Sequence, residues 1–171
     1  LIEGLKQFFE FPRPPMPGGV VGLRYVPTLL HGVYIETATA SGYGFPSGHA
    51  VLTTVAWGGL ALVLDAGTRR RRALVAGVVI LLVSLSRVAL GVHYAVDVVA
   101  GVAIGLAYLA VVFGLARGRT RVAFWIGAAA AAGSVVIGGV TFDDAATLGA
   151  TVGAAVVWEL LGGRVPARPN S

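Results

Sequence analysis

A chain of 171 residues with 56% hydrophobic and only 12% charged residues, and a mean hydropathy of +0.82, has too little polar surface to cover itself in water. The composition excludes an ordinary soluble domain and calls for bilayer as solvent. Absence of cysteine excludes disulfides and thiolate metal sites. The net charge of +5 comes without the basic and aromatic interleaving of a nucleic-acid surface, so no nucleic-acid partner is expected.

The chain opens Leu1-Ile2-Glu3 without an initiator Met, and Lys6 falls about one turn into what reads as the end of a helix. An upstream portion is therefore expected to be missing. Residues 12 to 45 form the longest non-spanning segment. Pro12, Pro14, Pro15, Pro17 and Pro27, with Gly18, Gly19 and Gly22, disfavour regular helix there. Val20 to Tyr34 is apolar but punctuated by Arg24 and Pro27, which suits a short interfacial segment. Tyr43 and Phe45 read first as interfacial anchors and second as the lining of a path for a hydrocarbon chain.

Apolar runs follow at Ala50 to Leu64, at Ala73 to Val92 with Arg87 inside it, at Val98 to Ala116, at Val122 to Phe142, and at Ala145 to Gly163 with Glu159 near its end. Each approaches the length that spans ~30 Å of hydrocarbon. About five spans are expected, in one membrane-embedded domain over 1–163 with a polar tail over 164–171. Gly101/Gly105 and Gly149/Gly153 are small-residue pairs, expected to pack inside one bundle rather than between copies, a homo-oligomer being the alternative. Asp143 and Asp144 read as helix caps. Arg24 and His31 belong to no motif.

Arginines cluster at Arg69 to Arg72, at Arg117, Arg119 and Arg121, and at Arg164 and Arg168. With the spans as given these share one side of the membrane, and the positive-inside rule puts that side in the cytoplasm. The polar motifs at the other span ends then face outward. Those motifs are Lys6 with Arg13-Pro14, Pro46-Ser47-Gly48-His49, and Ser86-Arg87 with His93 and Asp97.

Pro46 to His49 immediately precedes an apolar run, so Ser47 reads as an N-cap above free amide N–H groups that attract an anion. Gly48 allows close approach to the backbone, and His49 sets an ionisable group beside the anion. Arg87 near a span end must face a protein-lined or wet cavity, and its planar fork suits phosphate oxygens. His93 and Asp97, four apart, share a helical face; the carboxylate accepts from one ring nitrogen and leaves the other free to attack. Lys6 and Arg13 complete a cationic clamp for oxygens that grow more negative during phosphoryl transfer.

These residues, in this order and spacing, resemble the three-part signature of the type 2 phosphatidic acid phosphatase superfamily, which also contains the vanadium haloperoxidases. The resemblance covers residues 6 to 97 by motif. It implies an all-α, polytopic transmembrane helix bundle and metal-independent removal of phosphate from a lipid phosphate or prenyl pyrophosphate at the outer membrane face, with no cofactor. It also implies that His93 is the nucleophile, that Asp97 orients it, and that His49 is the general acid. Lys6, Arg13, Arg87, Ser47 and the Gly48 amide would hold the phosphoryl oxygens. A phosphoryl or headgroup transferase would use the same residues. A non-catalytic transport or scaffold module gives no reason for them to gather, and a haloperoxidase suits the multiple spans poorly.

Overall fold

The structure is a computed structural model that describes residues 2–15, 20, 22–39, 42–117, 119–138 and 142–161. Among the described residues seven α-helices follow in order: α1 (Ile2–Phe9), α2 (His31–Ala38), α3 (Gly48–Val63), α4 (Arg69–Ala89), α5 (Ala95–Ala116), α6 (Thr120–Gly138) and α7 (Phe142–Leu161), with two 3-10 turns at Leu23–Tyr25 and Thr28–Leu30. No strand occurs among the described residues. The expected polar tail at 164–171, and the side chains expected to cap the last helix, Asp143 and Asp144, lie outside what is described.

Among the described residues two helices, α4 with 21 residues and α5 with 22, are long and apolar enough to cross a membrane by length and composition. Gly48–Val63 is a shorter apolar helix, and α6 and α7 carry apolar stretches at Arg121–Gly133 and Leu148–Leu160 among the described residues. At 1.5 Å per residue the 16 residues of α3 cover ~24 Å, less than the hydrocarbon thickness. The helix stops because Leu64 turns to extended backbone and Gly67 takes a left-handed conformation, φ 67°, ahead of the next cap.

The chain divides into two compact units, one holding Ile2 and Lys6–Leu109, the other Glu3–Leu5 and the chain from Ala110 onward. Within the first, burial is inverted relative to a water-soluble helix. On α4, Leu81, Leu82 and Leu85 are more than half exposed, whereas Ala76, Ser84 and Arg87 are buried. Small and polar residues inside, with large aliphatics outside, is the pattern of a helix solvated by lipid.

Glycine fixes the crossing of α3 and α5. A Cβ on Gly101 would stand 2.7 Å from the Ser47 carbonyl oxygen and 2.8 Å from Ala50 Cβ; one on Gly105 would stand 2.7 Å from Thr54 Cβ. The expected packing role of this pair within one bundle is met. Among the described residues a Cβ on Gly149 or Gly153 would meet nothing within 4 Å beyond its own helix.

Other ends are set locally. Thr68 caps α4, its Oγ1 accepting from the Arg71 amide at 3.2 Å. Glu10, in a left-handed conformation, closes α1 by donating its amide to the Lys6 carbonyl. The long loop is more structured than its prolines suggest: no proline follows Pro27 before Phe45, and α2 forms in that interval. Arg24 stacks on Tyr25, and His31 Nε2 pairs with the Val26 carbonyl at 2.8 Å, so both have local roles.

In the second unit α6 and α7 pack together. Glu159, the one carboxylate expected inside the last span, accepts from Arg121 Nε at 2.6 Å and from Trp125 Nε1 at 3.4 Å. The charge is paired rather than left bare, as a carboxylate near a membrane must be.

Candidate active site

Arg13 ties the motifs together. Its Nη1 donates to the Val92 carbonyl at 2.9 Å and to His93 Nε2 at 3.2 Å, and its Nε donates to the Gly42 carbonyl at 3.1 Å. Guanidinium has no acceptor, so the shared proton is its own and Nε2 must carry the lone pair. The proton of neutral His93 then sits on Nδ1, which lies 3.3 Å from Asp97 Oδ2. That tautomer is assigned from the network. The same Oδ2 accepts from the Tyr94 amide at 2.8 Å, which fixes the carboxylate at the start of α5.

His93 and Asp97 are almost fully buried. Burial first, and the Arg13 charge second, outweigh the hydrogen bond and charge of Asp97 and lower the His93 pKa to about 4. The ring is therefore neutral at physiological pH.

Backbone joins the second and third motifs, with the Ser47 amide donating to the Asp97 carbonyl at 2.9 Å. Ser47 occupies the N-cap position of α3 in extended conformation, yet its side chain makes no capping bond. The expected hydroxyl cap is thus corrected: Ser47 keeps the N-cap position, but its buried hydroxyl does not bond to the helix amides. Its Oγ is buried without a hydrogen-bond partner among the described residues, an arrangement that normally awaits a ligand or a water.

His49, the second residue of α3 and ahead of the apolar run, remains exposed. Its pKa lies below the ordinary 6.5, through partial desolvation first and then the charges of Arg87, Lys6 and Arg13. All three clamp cations therefore act on one imidazole. Arg87 itself is buried in the last turn of α4, and its carbonyl accepts from the Val92 amide at 3.3 Å. Lys6 sits in the last turn of α1. The space a side chain on Gly48 would need faces Ile2 Cγ2 at 3.2 Å, so this glycine makes room for α1. Ser86 turns back to its own helix, donating to the Val83 carbonyl.

Several positioning groups escaped the sequence reading. The Gly42 and Val92 carbonyls orient Arg13, and Gly44 lies against Arg13 Cγ and Asp97 Oδ2, at 3.1 and 3.4 Å from where its Cβ would be. The available signal was two glycines just ahead of Pro46, Gly42 taking φ 71°. Among the described residues no three His, Cys, Asp or Glu side chains form a group able to hold a metal ion.

Among the described residues the chain is helical and apolar, and its buried His–Asp pair meets the Arg13 and Arg87 cations. The chain belongs to the PAP2 superfamily, whose family model matches residues 1–121. That membership supports a phosphatase-type hydrolase. No curated protein and no solved structure gives a match.

Proposed function

We propose that the protein is an integral-membrane phosphatase that removes a terminal phosphate from a lipid phosphate or prenyl pyrophosphate, through a phosphohistidine, without a metal and at the extracytoplasmic face. The observation that carries this reading is the orientation of His93, with Nδ1 on Asp97 and the Nε2 lone pair toward a guanidinium that suits phosphoryl oxygens.

In the first step His93 Nε2 forms a bond to phosphorus as the bond to the leaving oxygen breaks, and His49 gives that oxygen its proton. Asp97 stabilises the positive ring that results. In the second step His49 takes a proton from water, the hydroxide oxygen bonds to phosphorus, and the P–N bond breaks to return neutral His93 and free phosphate. Lys6, Arg13, Arg87, the Ser47 hydroxyl and the Gly48 amide hold the equatorial oxygens, doing the electrostatic work that metal ions do elsewhere.

Phosphate release from phosphatidic acid, phosphatidylglycerol phosphate, a prenyl pyrophosphate and a sugar phosphate, in detergent with excess chelator, tests this reading. Turnover of at least one of the lipid substrates is expected. Release that depends strictly on added divalent metal, or none from any lipid, would count against it.

The histidine environments also set a pH profile. The free enzyme needs His93 neutral, hence a pH above about 4, and His49 protonated, hence a pH below its lowered value, itself under 6.5. The kcat/KM profile should therefore peak on the acid side and fall before neutrality. A bound phosphoryl dianion opposes the three cations and raises the His49 pKa, so the basic limb of kcat should lie at higher pH than that of kcat/KM. Initial rates across the pH range check this; a kcat/KM still climbing at about pH 8 would remove His49 as the acid.

A further inference from the structure

At the opposite end of α4 from Arg87, a cavity of about 350 Å³ opens between the last turns of α3 and the first turns of α4. Its walls are apolar, formed chiefly by Trp57, Leu60, Leu64 and Val75, and Arg71 and Arg72 stand among its lining residues. The two arginines differ. Arg72 Nε donates to the Ala61 carbonyl at 3.1 Å and its Nη1 to the Gly67 carbonyl at 3.0 Å, bracing the end of α3. Arg71 is exposed, its backbone amide donates to Thr68 Oγ1, and its side chain makes no hydrogen bond or ion pair among the described residues. Arg69 and Arg70 are exposed beside it, and Asp65 is the only acidic residue of the sequence between Glu36 and Asp97.

Four arginines in the first turn of α4 oppose the helix dipole, which favours anions there. A cationic rim over an apolar chamber is matched by one kind of molecule. A soluble anion would leave the chamber unused, and a neutral hydrocarbon would leave the rim unused.

We infer that this cavity holds an anionic phospholipid of the arginine-side leaflet, its phosphate on Arg71 with Arg69 and Arg70, and its acyl chain along Trp57, Leu60, Leu64 and Val75. From Arg71 to Arg87 is ~24 Å along the helix, so this lipid is not the substrate of the phosphoryl site. The inference stands or falls apart from the phosphatase reading, because its test measures no turnover.

Trp57 is the reporter. The full chain carrying Trp125→Phe and Trp158→Phe is reconstituted in vesicles of phosphatidylcholine containing a minor fraction of brominated-chain phosphatidylglycerol or, in parallel, brominated-chain phosphatidylcholine. Phosphatidylglycerol should quench Trp57 with an apparent affinity about fivefold higher, the scale of one surface cation against an anionic lipid. Arg71→Gln should erase the preference and Arg71→Lys retain most of it. Inorganic phosphate, set against chloride at equal ionic strength, should leave the preference in place. Equal quenching by the two lipids in the parent, an undiminished preference in Arg71→Gln, or displacement by inorganic phosphate would each overturn the inference.

Discussion

Replacing His93 by alanine should lower phosphate release by about 10⁴-fold or more, the scale on which removal of a nucleophile from a concerted set is felt. No acid-labile phosphoenzyme should form from radiolabelled substrate. The fold should survive, because Asp97 keeps the Tyr94 amide as a donor and the Ser47 amide still reaches the Asp97 carbonyl. Equal turnover in the variant would withdraw the nucleophile assignment. Asp97→Asn offers a finer comparison. In the parent one oxygen, Oδ2, serves both His93 Nδ1 and the Tyr94 amide. An asparagine can place its carbonyl oxygen there and keep both bonds, so that only the charge is lost. The charge-assisted part of a hydrogen bond is worth ~1–2 kcal/mol, so a loss of about 5- to 30-fold is expected. A rate unchanged from the parent would mean that the carboxylate does not stabilise the phosphorylated ring.

Gly101→Ala should be the most damaging change of a residue with no chemistry of its own. The new methyl would stand 2.7 Å from the Ser47 carbonyl oxygen and 2.8 Å from Ala50 Cβ, and neither is the far end of a flexible side chain. The start of α3 must therefore move, carrying Ser47 and His49 away from His93 and straining the bond between the Ser47 amide and the Asp97 carbonyl. Overpacking of this kind costs ~1–3 kcal/mol. A shift of an ångström in a reacting constellation costs about 10²-fold in rate. Thermal unfolding in detergent and phosphate release, measured together, should both fall. Gly153→Ala is the control: among the described residues a Cβ there would meet nothing within 4 Å beyond its own helix, and alanine favours helix by ~1 kcal/mol, so stability should hold or rise. If Gly101→Ala behaves like Gly153→Ala, the close crossing of α3 and α5 does not hold the site.

Side chains carrying the charge pattern were legible in the sequence because charges are costly in apolar surroundings. Arg87, His93 and Asp97 interrupt or border long hydrophobic runs, and that contrast marks them before any coordinates are known. The end of α5 at Ala116 was equally clear, but α4 starts at Arg69 rather than Ala73 and stops at Ala89 rather than Val92, and α5 starts at Ala95 rather than Val98. Charged and turn residues can join or leave a helix that the apolar run alone does not bound. Backbone partners have no such signature. The Gly42 and Val92 carbonyls that aim Arg13 belong to residues 29 and 79 positions away, and nothing in their side chains announces it. Ser47 shows the reverse failure: sequence rules assign its hydroxyl to the helix, whereas it is buried without bonding to the helix amides. The α2 helix was hidden because the prolines that disfavour it cluster at the head of the loop and leave 28–38 unconstrained.

The hydrogen bond from Arg13 to His93 Nε2 has one more effect. The guanidinium rests on the electron pair that the proposed reaction would use, so in that reading the arginine sheathes the ring nitrogen. An incoming group must bring oxygens that tempt the arginine away before the ring is bared. Phosphoryl compounds bring them; alkylating agents without such oxygens meet a guarded nitrogen.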